Sequence, residues 1–424
     1  MRMDSSTNSN PKTLTNNLLF ISLLLFTNLL TLFFSSTFYS STCTPTFYAT
    51  SSVTTPIPTT STITPVITTA ATTTTTTTND DNDNNNDNDK NNNNDDVKND
   101  NDLPPEFRAA TSPQRLPLGF NRNFDSDTIH PPLPDACIVF PDLLRRYMTY
   151  TVNGSCPDDE VLSQKLLLKG CEPLPRRRCR PASPPNFPPP LPFPSSLWTT
   201  PSDDSVVWTS YSCKSYACLI NRSHSPNFDD CKDCFDLNGR EKHRWTRKES
   251  GGLDFSIDDV LATRVRGSVR IGLDIGGGVA TFAIRMRERN VTILTTTLNL
   301  NGPFNTFIAS RGVIPLYLSI SQRLPFFDNT LDIVHSMHVL SNWIPEKLLH
   351  FLLFDVYRVL RPGGLFWLDH FFCVGDQLED VYGPMIESVG FKKVKWIVGR
   401  KLDRPNLKEM YLSALMEKPL NNSW

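Results

Sequence analysis

The side chains best suited to chemistry lie toward the end of the chain. The stretch "RIGLDIGGG" is an apolar run that closes on Asp274 and opens into Gly276, Gly277 and Gly278. An acid followed by bare backbone fits the carboxyl end of a buried strand turning into a helix, where glycines let a ligand approach without meeting a Cβ. Farther along, His335 and His338 fall after a fourth apolar run, and Asp369 with His370 at the end of a fifth. Imidazoles and carboxylates there can take a proton from a bound hydroxyl. A plain hydrogen-bonding scaffold is an equally good reading of the histidines. Cys213, Cys218, Cys231 and Cys234 have the paired spacing of a zinc ribbon, but thiols in an oxidising compartment pair with one another, so disulfides are expected and no metal.

The elements that must position these groups begin at Phe255. From there strand-like and helix-like segments alternate: "RIGLDI", "ATFAIRMRERN", "VTILTTTLN", "FNTFIASRG", "VIPLYLSI", "LDIVHSM", "PEKLLHFLLFDVYRVL" and, after an "RPGG" turn, "LFWLDHFF". Such alternation predicts an α/β domain with a mostly parallel sheet. The closely spaced "FKKVKWIVGRK" and "EMYLSALMEKP" predict an antiparallel hairpin at its edge.

Three of these stretches, in this order, carry a resemblance. "LDIGGG", "LPFFDNTLDIVHS" and "RVLRPGGLFWLD" make Phe255 to Pro419 similar to a class I S-adenosylmethionine-dependent methyltransferase domain. With the segments that precede it, the chain resembles plant Golgi type II membrane methyltransferase-like proteins related to the proposed pectin methyltransferases. The resemblance implies a Rossmann-like fold, a mostly parallel seven-stranded sheet with an antiparallel last strand, and S-adenosyl-L-methionine as cofactor. It places Asp274, Gly276, Gly277 and Gly278 around the methionine end of the cofactor. Two positions depart from the family pattern: Asn299 stands where an acid grips the ribose, and Ile320 where an acid meets the adenine amine, leaving Ser319 or Ser321 as substitutes. The third glycine of the motif is Ala280, a small change.

Methyl transfer is an in-line displacement in which the protein mainly aligns the partners and excludes water. A sugar hydroxyl needs a base, for which His335, His338, Asp369 and His370 are the candidates; a uronic-acid carboxylate needs none. The cluster "REKHRWTRK", Arg240 to Lys248, could draw an acidic polysaccharide, with Trp245 free to stack on a sugar ring; solvated linker charge is the plainer reading. The net charge of −2 is no guide, because an Asn/Asp-rich tract holds many of the acids. No basic stripe with interleaved aromatics runs through the domain, so nucleic acid is not expected as a partner.

The 424 residues include 34 prolines and long polar tracts, so much of the chain is not core. Residues 1–17 read as a cytosolic tail and 18–34, "LLFISLLLFTNLLTLFF", as an uncharged signal anchor suited to a thin membrane, with a cleaved signal peptide as the rival. Arg2 and Lys12 precede it and no base follows until Lys90, which predicts a single-pass type II protein with its C-terminal part in the Golgi lumen. Residues 35–102 are a low-complexity stem, 103–254 a Cys/Pro-rich lumenal region, and 255–424 the methyltransferase domain. In the Cys/Pro-rich region "DLLRRYMTY" predicts a short helix, "CPDDEVLSQKLLLKGCEPLPRRRC" another bracketed by its three cysteines, and Pro181 to Pro194 an extended strap or a ligand groove. Eight of the ten cysteines lie between Cys137 and Cys234, and Asn153, Asn221, Asn290 and Asn421 head glycosylation sequons, both consistent with a lumenal location. The expected function is methyl transfer to a cell-wall polysaccharide or its precursor. The alternatives are a non-catalytic methyltransferase-like scaffold for a Golgi enzyme partner and a small-molecule methyltransferase.

Overall fold

Seven strands form the frame: β1 (Ile271–Ile275), β2 (Thr292–Thr296), β3 (Ile314–Leu316), β4 (Leu331–Met337), β5 (Leu360–Val374), β6 (Lys392–Arg400) and β7 (Glu409–Glu417). They are seen in a computed structural model that describes residues 104–420 apart from 124, 132, 134, 223–230, 232, 247–251 and 403–407. The expected anchor and stem lie outside the described residues, and among the described residues no helix is long and apolar enough to cross a membrane.

The strand order is β3-β2-β1-β4-β5-β7-β6. β1 to β5 run parallel, and β7 is antiparallel to both its neighbours. This is the predicted α/β sheet with its late antiparallel hairpin. The order reverses at β1, so the carboxyl ends of β1 and β4 flank a crevice open to a ligand.

The central strands are apolar because both their faces are covered. In β4, Ile333 packs with Phe282 and Ile284 of α3 (Thr281–Arg287) on one side. Its neighbour Val334 packs with Leu349, Leu353 and Val356 of α5 (Glu346–Val359) on the other, and α4 (Phe304–Ser310) lies between β2 and β3 in the chain. The chain turns from β1 into α3 through Gly276 and Gly278, both at positive φ, and Ala280 at φ 65°. Ala280 is thus held in a left-handed conformation that glycine adopts more readily, a local strain on the order of 1 kcal/mol that its complete burial maintains.

Two irregularities in β5 differ from the sequence reading. The "RPGG" turn is a bulge, not a break: Leu331 pairs with Leu360 but Ile333 with Leu365. A second bulge falls at Asp369–His370, where Leu368 pairs with Ala414 and Phe371 with Leu412. There His370 takes φ 50° and its amide donates to Ser413 Oγ at 3.2 Å. Asp369 and His370 therefore sit inside a long strand rather than at its end, and the bulge re-aims them.

The Cys/Pro-rich region packs on this frame. Helices α1 (Pro141–Met148) and α2 (Glu160–Leu168) enclose a small core of Leu144, Met148, Leu162 and Leu166, as the apolar spacing predicted. Disulfides join Cys137 to Cys171, Cys156 to Cys179, Cys213 to Cys218 and Cys231 to Cys234. The zinc-ribbon spacing is thus taken up by two disulfides. The proline-rich segment is a strap: Phe193 stacks under the Arg287 guanidinium at 3.9 Å, and Trp198 under Arg285 at 4.1 Å. Asn153, Asn221 and Asn290 are exposed, while Asn421 lies outside the described residues.

Candidate functional site

At the carboxyl end of β1, Asp274 is buried and its Oδ1 accepts the Nδ1 proton of His335 at 2.7 Å. Its other oxygen, Oδ2, has no hydrogen-bond partner among the described residues. A Cβ built on Gly277 would stand 2.1 Å from that oxygen and 2.6 Å from Thr295 Cγ2, so only glycine leaves the carboxylate room. Thr296 fixes the turn: its Oγ1 accepts from the Gly276 amide at 3.0 Å and its carbonyl from the Gly277 amide at 3.2 Å. Val339 closes over Gly276, where a Cβ would meet Val339 Cγ2 at 2.2 Å, and the Cys231–Cys234 disulfide lies over Gly278, 3.0 Å from a Cβ there.

Behind the turn runs a buried chain of charge. His335 Nε2 lies 3.6 Å from Asp369 Oδ2. Asp369 Oδ1 accepts from His370 Nδ1 at 2.6 Å, and its Oδ2 accepts from Trp245 Nε1 at 2.9 Å. Burial disfavours a charged His335, but the Asp274 and Asp369 carboxylates outweigh it and raise its pKa. Burial also works against ionised Asp369, yet the nearby His335 imidazole and the hydrogen bond from His370 hold its carboxyl far below the usual range. His335 stacks on Phe282 with ring centroids 3.8 Å apart. Fully enclosed within β4, it is out of reach of a substrate, unlike the position after the strand that its spacing suggested.

The remaining two candidates sit closer to the surface. His370 meets Asp369 Oδ1 through Nδ1 at 2.6 Å, and its Nε2 lies 3.7 Å from Asp254 Oδ1. His338, at φ 61°, has its ring 5.3 Å from that of His370 and 5.6 Å from that of Tyr411. Burial first, then His370, push its pKa down to about 3; Arg244 and Arg240 are near enough to add to the effect. His338 is therefore neutral at ordinary pH. Trp245 is not a free sugar platform: it is packed edge-on to Phe282 and His335 and serves Asp369 instead.

Asn299, beyond β2, is fully engaged. Its Nδ2 donates to Glu160 Oε1 at 2.6 Å, and its Oδ1 accepts from the Asn305 amide at 2.9 Å. Ser319 donates its amide to Glu172 Oε1 at 2.6 Å, and the Ser319 and Ser321 hydroxyls bond each other at 2.6 Å. Ile320 packs against the apolar core, and Ser321 also faces a shallow cleft beside α5. Sequence reasoning missed Glu160 and Glu172, which are far from the sheet in the chain. It also missed Arg311, which is wholly buried, donates to the carbonyls of Leu197 at 2.8 Å and Val279 at 2.7 Å, and so ties the strap to the glycine turn. Burial pushes the Arg311 pKa down to about 10.

Residues 171–375 match the family described as "Putative S-adenosyl-L-methionine-dependent methyltransferase". A probable methyltransferase of Arabidopsis thaliana is 42% identical over 291 residues, covering 68% of this chain and 72% of its own length. The chain belongs to this methyltransferase family. Probable methyltransferase PMT21 of the same plant is 29% identical over 147 residues, 30% of this chain and 24% of its own. A solved S-adenosylmethionine-dependent methyltransferase from Mesorhizobium loti is 16% identical with a TM-score of 0.28, covering 38% of this chain and 96% of that one.

The glycine turn fits the methyl donor of this methyltransferase family at its amino-acid end. An unpartnered, buried carboxylate oxygen beside bare backbone is a receptor for an ammonium group. Asn299 and Ile320, which follow β2 and β3 where the resemblance expects acids toward the nucleoside, offer no carboxylate.

Proposed function

We propose that this methyltransferase transfers the methyl group of S-adenosyl-L-methionine to an acidic cell-wall polysaccharide or its precursor in the Golgi lumen, held there by an N-terminal type II anchor. The observation that carries the choice of substrate is the pair Arg240 and Arg244 beside His338, one residue from the Val339 that covers the glycine turn. Arg240 is largely exposed and loosely paired with Asp233 at 3.8 Å, which leaves it available to an acidic chain. Formed disulfides and exposed sequons support a lumenal protein.

When bound, S-adenosyl-L-methionine would supply an activated methyl group for transfer to the acceptor oxygen. Asp274 would hold the donor's ammonium, and Gly277 would keep the turn open around it. A uronate carboxylate becomes a methyl ester with no proton to move. For a hydroxyl acceptor, His370 Nε2 takes the proton, with Asp369 holding the ring in the required tautomer. His335 positions Asp274 and touches neither reactant.

A second reading, a non-catalytic scaffold for a Golgi enzyme partner, is favoured by the close cover that Val339 and the Cys231–Cys234 disulfide place on the turn. The two readings separate on incubation of the purified protein with methyl-labelled S-adenosylmethionine and de-esterified polygalacturonan. Alkali-labile label in the polymer supports the ester-forming enzyme. Label that is absent from the polymer, or found only in small molecules, contradicts it. Protease protection of the C-terminal domain in sealed Golgi vesicles checks the topology; digestion without detergent contradicts it.

A further inference from the structure

A nucleoside offers donors at its ribose diol and, in adenine, at its exocyclic amine, and both call for acceptors. We propose that two glutamates of the disulfide-stapled region, Glu160 and Glu172, provide the carboxylates that grip the nucleoside half of the methyl donor. This assignment rests on the methyltransferase reading above.

The two carboxylates stand at the two places where the sheet has none. Glu160 opens α2 and meets Asn299 at the end of β2; its oxygens also accept from Tyr211 Oη at 3.2 and 2.9 Å. A carboxylate has roughly four acceptor positions, and Glu160 is only partly buried, so it keeps capacity for ribose hydroxyls. Glu172 is 4% exposed, and its Oε1 takes the Ser319 amide beyond β3. Its Oε2 has no hydrogen-bond partner among the described residues. A buried carboxylate oxygen left without a donor is costly, and the amine of adenine is a donor of the right kind for it.

The surroundings hold these glutamates in place. Arg176 clamps Asp159, the residue before Glu160, at 2.7 and 2.6 Å. Gln164 donates to the Asn299 carbonyl at 3.1 Å, and Gln322 donates to the Glu172 carbonyl. The Cys137–Cys171 disulfide ends one residue before Glu172. The same contacts would suit a plug that excludes the donor. The unpartnered Oε2 favours the receptor, because a plug would meet this acceptor with a donor of its own.

The test is calorimetric titration of the purified full chain, disulfides intact, with S-adenosylhomocysteine and with its inosine analogue, in which a carbonyl replaces the amine. Glu160→Gln and Glu172→Gln are each expected to weaken S-adenosylhomocysteine roughly tenfold, the scale of one charged hydrogen bond, with unchanged circular dichroism. The unaltered protein is expected to bind the inosine analogue at least about tenfold more weakly, and Glu172→Gln to erase that preference. The comparison of the two nucleosides on the unaltered protein needs no variant to fold. Equal binding of the two nucleosides overturns the role of Glu172. Variants that bind as tightly as the unaltered protein overturn the assignment, and tighter binding marks the glutamates as a plug. If the unaltered protein binds neither compound, the methyltransferase reading itself fails and the assignment with it.

Discussion

The two ends of the donor cleft are built differently. At the methionine end the carboxylates come from the α/β domain: Asp274 closes one strand ahead of the glycines, and the buried His335 and Asp369 that support it lie in the next two, with Trp245 and the Cys231–Cys234 disulfide of the Cys-rich region packed against them. At the nucleoside end the strands stop at neutral residues, and the nearest carboxylates reach in from a separate, disulfide-bonded stretch of chain. One half therefore takes its carboxylates from the sheet, whereas the other takes them from the Cys-rich region and depends on how firmly that region is docked. A site divided in this way should respond to damage in two separable patterns.

The largest effect is expected at the methionine end. Asp369→Asn removes the carboxylate shared by His335, His370 and Trp245, and breaking a buried charged network from one side costs about 3–5 kcal/mol. Chemical denaturation should show that loss; a change below about 1 kcal/mol would mean that the network is not what holds the turn. Next comes the other end. Replacing Cys137 and Cys171 with serine should cost about 2–4 kcal/mol and loosen Glu172, weakening binding of adenosine-containing ligands. If affinity were unchanged, the nucleoside end would not depend on the disulfide-stapled region, and the comparison would break.

Gly277→Ala should act on the methionine end in a smaller way. Its Cβ presses on Asp274 and Thr295, an overpacking of about 1–3 kcal/mol that should weaken S-adenosylmethionine some ten- to hundredfold while leaving the preference for adenosine over inosine intact. The smallest effect is on pH. The raised His335 pKa stabilises the fold fully below the ordinary histidine value of about 6.5 and ceases to do so as pH climbs through the folded value, about 1.4 kcal/mol for each unit of the rise. The lowered Asp369 pKa acts oppositely: its contribution is present above about 3.9 and lost as pH falls through the folded value. The groups facing His335 are Asp274, Asp369, Trp245, Phe282 and Trp367. Melting temperature should therefore decline on the alkaline side, and His335→Asn should flatten that limb. An equally steep limb in the variant would assign it to another group.

The parts legible in the sequence are those written in local pattern. The succession of strands and helices from Phe255 onward, the strand-to-helix turn at Gly276–Gly278, the presence of two short helices in the Cys-rich region, and the preference for disulfides over zinc all follow from periodicity, glycine placement or cysteine spacing. The parts that were not legible depend on long-range pairing. Asn299 lies 139 residues from Glu160 and Ser319 147 from Glu172, so no window of sequence joins them. The one available hint was chemical: two strands ended without their acids, and two unexplained acids flanked the helix that runs toward Cys171. Trp245 was misread because an exposed-looking basic cluster hid a buried hydrogen bond to Asp369, and the bulge at Asp369–His370 has no glycine or proline to announce it.

The central claim is that a turn bared by glycine, backed by Asp274 and completed from outside the sheet, forms a working receptor for the methyl donor. Calorimetric titration of the purified, oxidised protein with S-adenosylmethionine measures this directly. A saturable heat corresponding to one donor per chain is the predicted result; no heat at high micromolar donor would contradict it.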